Sequence, residues 1–166
     1  MAGTLKTNAA RLLEARGIPH RVRVYDADGV FHSADEAAAL LGVPGASVLK
    51  TLVVLRAMVG RTKPLLVLVP SDRQLDLKRV GRALGEKRLR MASQREAEQL
   101  TGLKVGGISA LAVRAEVFEV LVDASAARRE HVHVSAGVRG VDLELAVGDL
   151  LAVTGGRLVD TSGERT

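Results

Sequence analysis

The chain predicts an α/β fold of the α+β type: a mixed, largely antiparallel sheet with several helices packed around it. Three observations predict it. Short aliphatic runs outnumber helical patterns along the chain, and many are joined by short loops, which suits antiparallel neighbours better than a doubly wound parallel sheet. Of the 166 residues 47% are apolar, enough for a real core, and no repeat, linker or low-complexity segment divides them. Aromatics make up only 2% (Tyr25, Phe31, Phe118), so the core is built of Val, Leu and Ala. The expectation is one domain over 1–166, with 162–166 a frayed tail.

Taken in order, Thr7 caps a helix over Asn8–Arg16 that Gly17 stops, with Leu12 and Leu13 on its buried side. Ile18–Tyr25 alternates as an edge strand, with Pro19 at its first positions. Asp26–Gly29 is a turn. Ser33 and Glu36 form a capping box for a helix over Ala34–Leu41, ended by Gly42. Val48–Leu55 is a buried strand, Gly60–Lys63 a hairpin loop, and Leu65–Val69 the strand paired with it. Asp76 caps a helix with Leu77, Val80 and Leu84 inside and Gly85 at its end. Arg88–Met91 is a short strand. Ser93 and Glu96 form a second capping box, for a helix reaching Thr101, and Val105–Ala110 is a loop. Strands follow at Val117–Asp123, His131–Ser135 and Val141–Leu145, then a short helix at Gly148–Thr154 and a last strand at Arg157–Asp160.

Lys50 breaks the aliphatic run Val48–Leu55. It shares a face with Val48, Leu52 and Val54, and the opposite face is apolar too. An ammonium there is paired, reaches water through a cleft, or titrates down. The alternative is a lysine that snorkels from the strand end to solvent. Periodicity alone leans towards the second.

Charge and composition narrow the function classes. The net charge is +5, and residues 73–90 carry seven basic side chains against Asp76 and Glu86. Such a segment fits phosphate contact or a solvated helix face. Three aromatics do not make a multi-base stacking platform. With no cysteine there is no disulfide, thiolate metal site or cysteine nucleophile. His131 and His133 share a strand face as a metal pair without an evident third ligand, so no metal is expected, and no cofactor. His20 and His32 read as surface histidines. No apolar stretch has membrane-spanning length and no signal-peptide pattern opens the chain, so no membrane partner and a cytoplasmic location are expected.

Two loops are further candidates. Gly106-Gly107-Ile108-Ser109 brings two glycines and a hydroxyl together, without the Gly-Lys-Ser/Thr of a P-loop or a Gly-x-Ser-x-Gly elbow. Ser135, Gly137, Gly140 and Asp142 place a serine at one strand end and an aspartate on the next strand. Asp142 faces away from the apolar side of its strand, to pair with Lys50 or to be solvated.

Four ordered blocks carry a resemblance. They are Leu49-Lys50-Thr51-Leu52-Val53-Val54; Gln74–Val80 with Ala83-Leu84-Gly85; Val105–Ser109; and Val134–Gly137 followed by Arg139–Leu145. Over nearly its whole length the chain resembles the YbaK/EbsC family of aminoacyl-tRNA deacylases, related to the editing insertion domain of bacterial prolyl-tRNA synthetases. It is most similar to the branch that clears cysteine from proline tRNA. The resemblance implies a curved sheet or barrel ringed by helices and a pocket for the aminoacyl-adenosine end of tRNA. Lys50 is similar to the family's essential lysine. The loop Gly106, Gly107, Ile108, Ser109 corresponds to its pocket loop, and Tyr25, Ser135 and Asp142 fall at pocket-lining positions. Lys78, Arg79 and Arg82 are candidates for tRNA contact, and prolyl-tRNA synthetase is a candidate partner. The family loop usually continues with proline, and Ala110 stands there instead, which relaxes the loop and bears on amino-acid preference. In the cysteine-clearing branch the substrate's own thiol attacks its ester. The implied function is trans-editing of a mischarged aminoacyl-tRNA, most directly Cys-tRNA(Pro). Deacylation of Ala- or Ser-charged tRNA, and a non-catalytic tRNA- or nucleotide-binding accessory module, stay open beside it.

Overall fold

The computed structural model describes residues 6–57 and 62–165. Capping chemistry sets the helices. Thr7 Oγ1 accepts from Ala10 N at the start of α1 (Asn8–Ala15). Both capping boxes are complete, Ser33–Glu36 opening α2 (Ala34–Leu41) and Ser93–Glu96 opening α4 (Gln94–Thr101). Asp76 accepts from the N–H groups of Lys78 and Arg79 to open α3 (Leu77–Leu84). The last helix, α5, spans Val147–Thr154.

Three sheets form. The largest has five strands in the order β5 (Leu89–Met91), β2 (Leu49–Arg56), β3 (Leu65–Pro70), β6 (Glu119–Asp123) and β9 (Arg157–Val159). β2 pairs antiparallel with β3 and β5, whereas β3–β6 and β6–β9 are parallel. A three-stranded antiparallel sheet sets β8 (Val141–Ala146) between β1 (His20–Val24) and β7 (His131–Ser135), leaving β1 on an edge. β4 (Arg73–Leu75) pairs with β10 (Ser162–Glu164). A single bridge between Val48 and His133 joins the first two sheets, and among the described residues no sheet closes into a barrel. The expected hairpin loop falls partly on Gly60 and Arg61, outside the described residues.

β2, β3 and β6 are buried on both faces, which explains their unbroken aliphatic sequences. On one face Leu49, Val53, Leu66, Leu68 and Val122 pack with Leu13, Val134, Leu143 and Leu150. On the other, Val54, Leu65, Val67, Val69 and Leu121 pack with Val80 of α3.

Two expectations need correction. Residues 162–164 are a strand, not part of a frayed tail; Ser162 is fully buried and bonded to Asp123 and Arg73. Asp142 is neither solvated nor paired with Lys50: it is 5% exposed, and the Lys50 ammonium donates elsewhere. No helix among the described residues is long and apolar enough to cross a membrane.

Candidate functional site

β5 covers only Val54–Arg56 of one β2 edge. Beyond it lies a cleft of about 360 Å³, walled by β2, the start of α2, the β5–α4 turn, the 105–108 loop and the ends of β7 and β8. Tyr25, Lys50, Gly106, Ile108, Ser135 and Asp142 all line it, although they come from separate stretches of chain.

Lys50 is half-buried and its Nζ donates to the backbone carbonyl of Arg73, 2.9 Å away. Burial lowers its pKa; Asp35 and Asp72 oppose that shift and Arg165 adds to it. Asp142 stands opposite Ser135 on β7 and Arg23 on β1. Among the described residues its carboxyl accepts no hydrogen bond, and burial pushes its pKa up to about 7. Burial, with the charge of Asp142 next, also raises the Tyr25 phenol, which stays a protonated donor.

The 105–109 loop is fixed by close packing. Arg139 Nε donates to the Val105 carbonyl (2.8 Å), and its guanidinium lies 5.4 Å from the centre of the Phe31 ring. Gly106 has φ +94°, and a Cβ there would sit 2.7 Å from Phe31 Cδ2. A Cβ on Gly107 would lie 2.9 Å from the Val138 carbonyl carbon. Gly107 and Ser109 therefore shape the loop from behind. Gly107 N donates to the Lys104 carbonyl, and the fully buried Ser109 hydroxyl accepts from Leu111 N. Ala110 is buried beside them.

Thr51, Phe31 and His32 are among the cleft residues that lie outside the candidates that the sequence supplies. Thr51 Oγ1 is buried, has no hydrogen-bond partner among the described residues and lines the cleft; its signal is a hydroxyl inside an aliphatic strand. Phe31 is half-exposed at the cleft. His32, expected at the surface, is a cleft residue: its Nε2 lies 2.7 Å from Asp26 Oδ2, and that bond chiefly holds its pKa above the ordinary histidine range.

Lys78, Arg79 and Arg82 lie on α3, apart from the cleft. Lys78 and Arg82 line a separate depression. Arg79 is ion-paired to Asp76 and Asp160. Of the two strand histidines, His131 is exposed and His133 buried, and no cluster of three metal-ligating side chains occurs among the described residues.

The cleft offers donors and a cation but no assembled enzyme nucleophile. The chain has no cysteine. Ser135 Oγ accepts from Gly137 N, Ser33 Oγ from Glu36 N and Ser93 Oγ from Glu96 N, and among the described residues none of the three is bonded to a histidine.

The buried Asp142 predicts a pH dependence. In the unfolded chain an aspartate titrates near 3.9. Both states are protonated below that pH. Between about pH 4 and 7 only the unfolded chain gives up its proton, so stability falls as pH rises through this window. At about 1.4 kcal/mol for each of roughly three pH units, the loss is about 4 kcal/mol at most. Asp142→Asn is expected to flatten this dependence and to raise the melting temperature at pH 8. Parallel pH–stability curves for the two proteins would remove the assignment.

Comparison with known proteins places this geometry. The profile of the aminoacyl-tRNA editing domain matches residues 29–153. A protein of Enterococcus faecalis provisionally named Cys-tRNA(Pro)/Cys-tRNA(Cys) deacylase EbsC is 30% identical over 155 residues, covering 93% of this chain and 92% of that protein. A proline–tRNA ligase of Limosilactobacillus fermentum is 32% identical over 87 residues, 52% of this chain and 15% of the ligase. Among solved structures, a provisionally described trans-editing enzyme for prolyl-tRNA synthetase superposes with a TM-score of 0.79 at 27% identity, covering 96% and 99% of the two chains. A protein described as hypothetical superposes at 0.82 and 29% identity, covering 94% and 99%. The profile match spans Lys50, the Gly106–Ser109 loop and the Ser135–Asp142 pair, and with a full-length relative beside it the chain belongs to the aminoacyl-tRNA editing domain family, the YbaK/EbsC group.

Proposed function

We propose that the chain is a free-standing deacylase that removes a mischarged amino acid from tRNA, with cysteine on proline tRNA the leading substrate. One observation carries the reading: within this family's fold, a half-buried lysine lines a cleft in which, among the described residues, no hydroxyl is bonded to a histidine base. Such a cleft suits a substrate that brings its own nucleophile. The cysteine sulfur attacks its own ester carbonyl, the bond from that carbon to the ribose oxygen breaks, and the thiol proton passes to the ribose oxygen. Holding the thiol against the carbonyl supplies several kcal/mol through orientation alone, on the order of 7 or more in well-aligned cases. Lys50 stabilises the developing oxyanion through its charge. Tyr25, Ser135 and Asp142, with the backbone of Gly106 and Ile108, hold the aminoacyl-adenosine end. Prolyl-tRNA synthetase is the partner favoured by the partial match to a proline–tRNA ligase.

The test is deacylation of Cys-tRNA(Pro), Ala-tRNA(Pro) and Ser-tRNA(Pro) by the purified protein. Cysteine is expected to be lost fastest. Faster loss of alanine or serine would overturn the cysteine assignment and point to Ala110. Binding of tRNA without release of any of the three would overturn the deacylase reading in favour of a binding module.

A further inference from the structure

A second concave surface adjoins the cleft. It is a groove bordered by Arg73, Arg128, Arg129 and Arg165, with Asp72 and Glu164 as its acidic members. The two concavities share a wall at one hydrogen bond: Lys50 lines the cleft, and its ammonium donates to the carbonyl of Arg73, which lines the groove. The arginines are not equivalent. Arg73 is bonded to Ser162 and Arg165 is paired with Asp35. The Arg128 and Arg129 side chains make no hydrogen bond or ion pair among the described residues, Arg128 is exposed, and both end a 3₁₀ turn beside the groove. Nothing among the described residues uses their charge. The depression on α3 also carries net positive charge, Lys78, Arg82 and Lys87 against Glu86. Among the described residues no side-chain hydrogen bond links it to a cleft residue.

We propose that the groove at Arg128 and Arg129 binds phosphates of the single-stranded 3′ end of the RNA whose aminoacyl terminus enters the Lys50 cleft. The proposal rests on the deacylase reading and goes beyond it by giving the strand a path. A strand ending in the cleft has its nearest phosphates just outside, and this groove meets the cleft at the proposed catalytic lysine. Unpaired guanidiniums suit phosphate oxygens through paired N–H donors. The interaction is electrostatic and so falls with salt.

The experiment measures deacylation kinetics of the full chain over a range of salt concentrations. The substrates are charged tRNA and the matching aminoacyl-adenosine, which has no phosphate. The variants are Arg128→Ala/Arg129→Ala and, as the competing surface, Lys78→Ala/Arg82→Ala. The first double variant is expected to raise KM for tRNA about tenfold, an effect in KM rather than kcat. It is also expected to flatten the salt dependence by roughly 1.4 in log–log slope, about 0.7 for each single-strand phosphate that an arginine no longer neutralises. The defect disappears with aminoacyl-adenosine. An unchanged KM and slope for tRNA, or the same defect in the Lys78/Arg82 variant instead, overturns the groove. If the wild-type chain cleaves neither substrate, the deacylase reading falls on its own. The groove is then decided by the salt slope of uncharged tRNA binding in the same variants: flattening by Arg128→Ala/Arg129→Ala supports it, and no change overturns it.

Discussion

Replacing Lys50 by alanine is expected to slow deacylation of the preferred mischarged tRNA by about 10²–10³-fold, the usual cost of removing a fixed electrostatic donor from a desolvated site. An ammonium has three donors, and one goes to the Arg73 carbonyl. The other two are free to meet an ester oxygen as it gains charge. Half-burial makes each interaction stronger than in water. Lys50→Met keeps most of the aliphatic stem and removes the charge, so it is expected to lose as much activity as Lys50→Ala. Lys50→Arg keeps the charge, but its planar fork does not fit a position set by one carbonyl, and it is not expected to rescue. Stability should change by no more than about 1.5–3 kcal/mol, the net worth of a single hydrogen bond from a charged group. Single-turnover rates with thermal unfolding alongside are the measurement. A Lys50→Met protein that keeps its rate within about threefold would show that the charge does no chemistry.

The residues of this site are legible in the sequence to the extent that local chemistry defines them. Helix starts are readable because Ser33, Asp76 and Ser93 satisfy N–H groups within three residues of themselves. The Lys50 strand is readable because both its faces are buried and it is aliphatic nearly throughout. What escapes depends on distant chain. Arg73–Leu75 and Ser162–Glu164 have no hydrophobic alternation; they pair because buried Asp123 gathers the residues preceding and opening β10. Alternation places Asp142 on the face opposite Leu143, but only the packing of the neighbouring strands and loops makes that face a buried one. His32 lies in a loop whose path over the cleft is set by its bond to Asp26 and the capping box that follows. The parallel pairing of β3 with β6 joins segments separated by two short strands, two helices and a long loop, and no local pattern records it.

Asp123 is linked to Lys50 by a chain of hydrogen bonds through Ser162 and Arg73, and Asp123→Ala is expected to destabilise the protein by about 3–5 kcal/mol. Its carboxylate is 3% exposed. Oδ1 accepts from Thr161 N (3.1 Å), Thr161 Oγ1 (2.7 Å) and Ser162 Oγ (2.9 Å), and Oδ2 accepts from both the N–H and the hydroxyl of Ser125. Burial pushes the carboxyl's pKa up, but the hydrogen bonds from Ser125, Thr161 and Ser162 together outweigh it and hold the pKa below the ordinary aspartate value. This contribution is therefore present above the unfolded pKa and lost as pH falls through the folded one. Alanine leaves several buried donors without an acceptor, each costing about 1–3 kcal/mol unless water replaces it. The predicted fall in melting temperature is roughly 6–20 °C at this chain length. Asp123→Asn keeps one oxygen acceptor and should lose less. The consequence for activity runs through Ser162, which accepts from Arg73 Nε (2.7 Å) and Nη2 (3.0 Å), while the Arg73 carbonyl holds the Lys50 ammonium. A chain ending at Thr161 keeps the Thr161 and Ser125 bonds to Asp123 but lacks β10. It is expected to fold and to deacylate at least about tenfold more slowly, because β4, which carries the carbonyl that fixes Lys50, has lost its partner strand. Wild-type turnover by that truncated chain would show that Lys50 is positioned without the C-terminal strand.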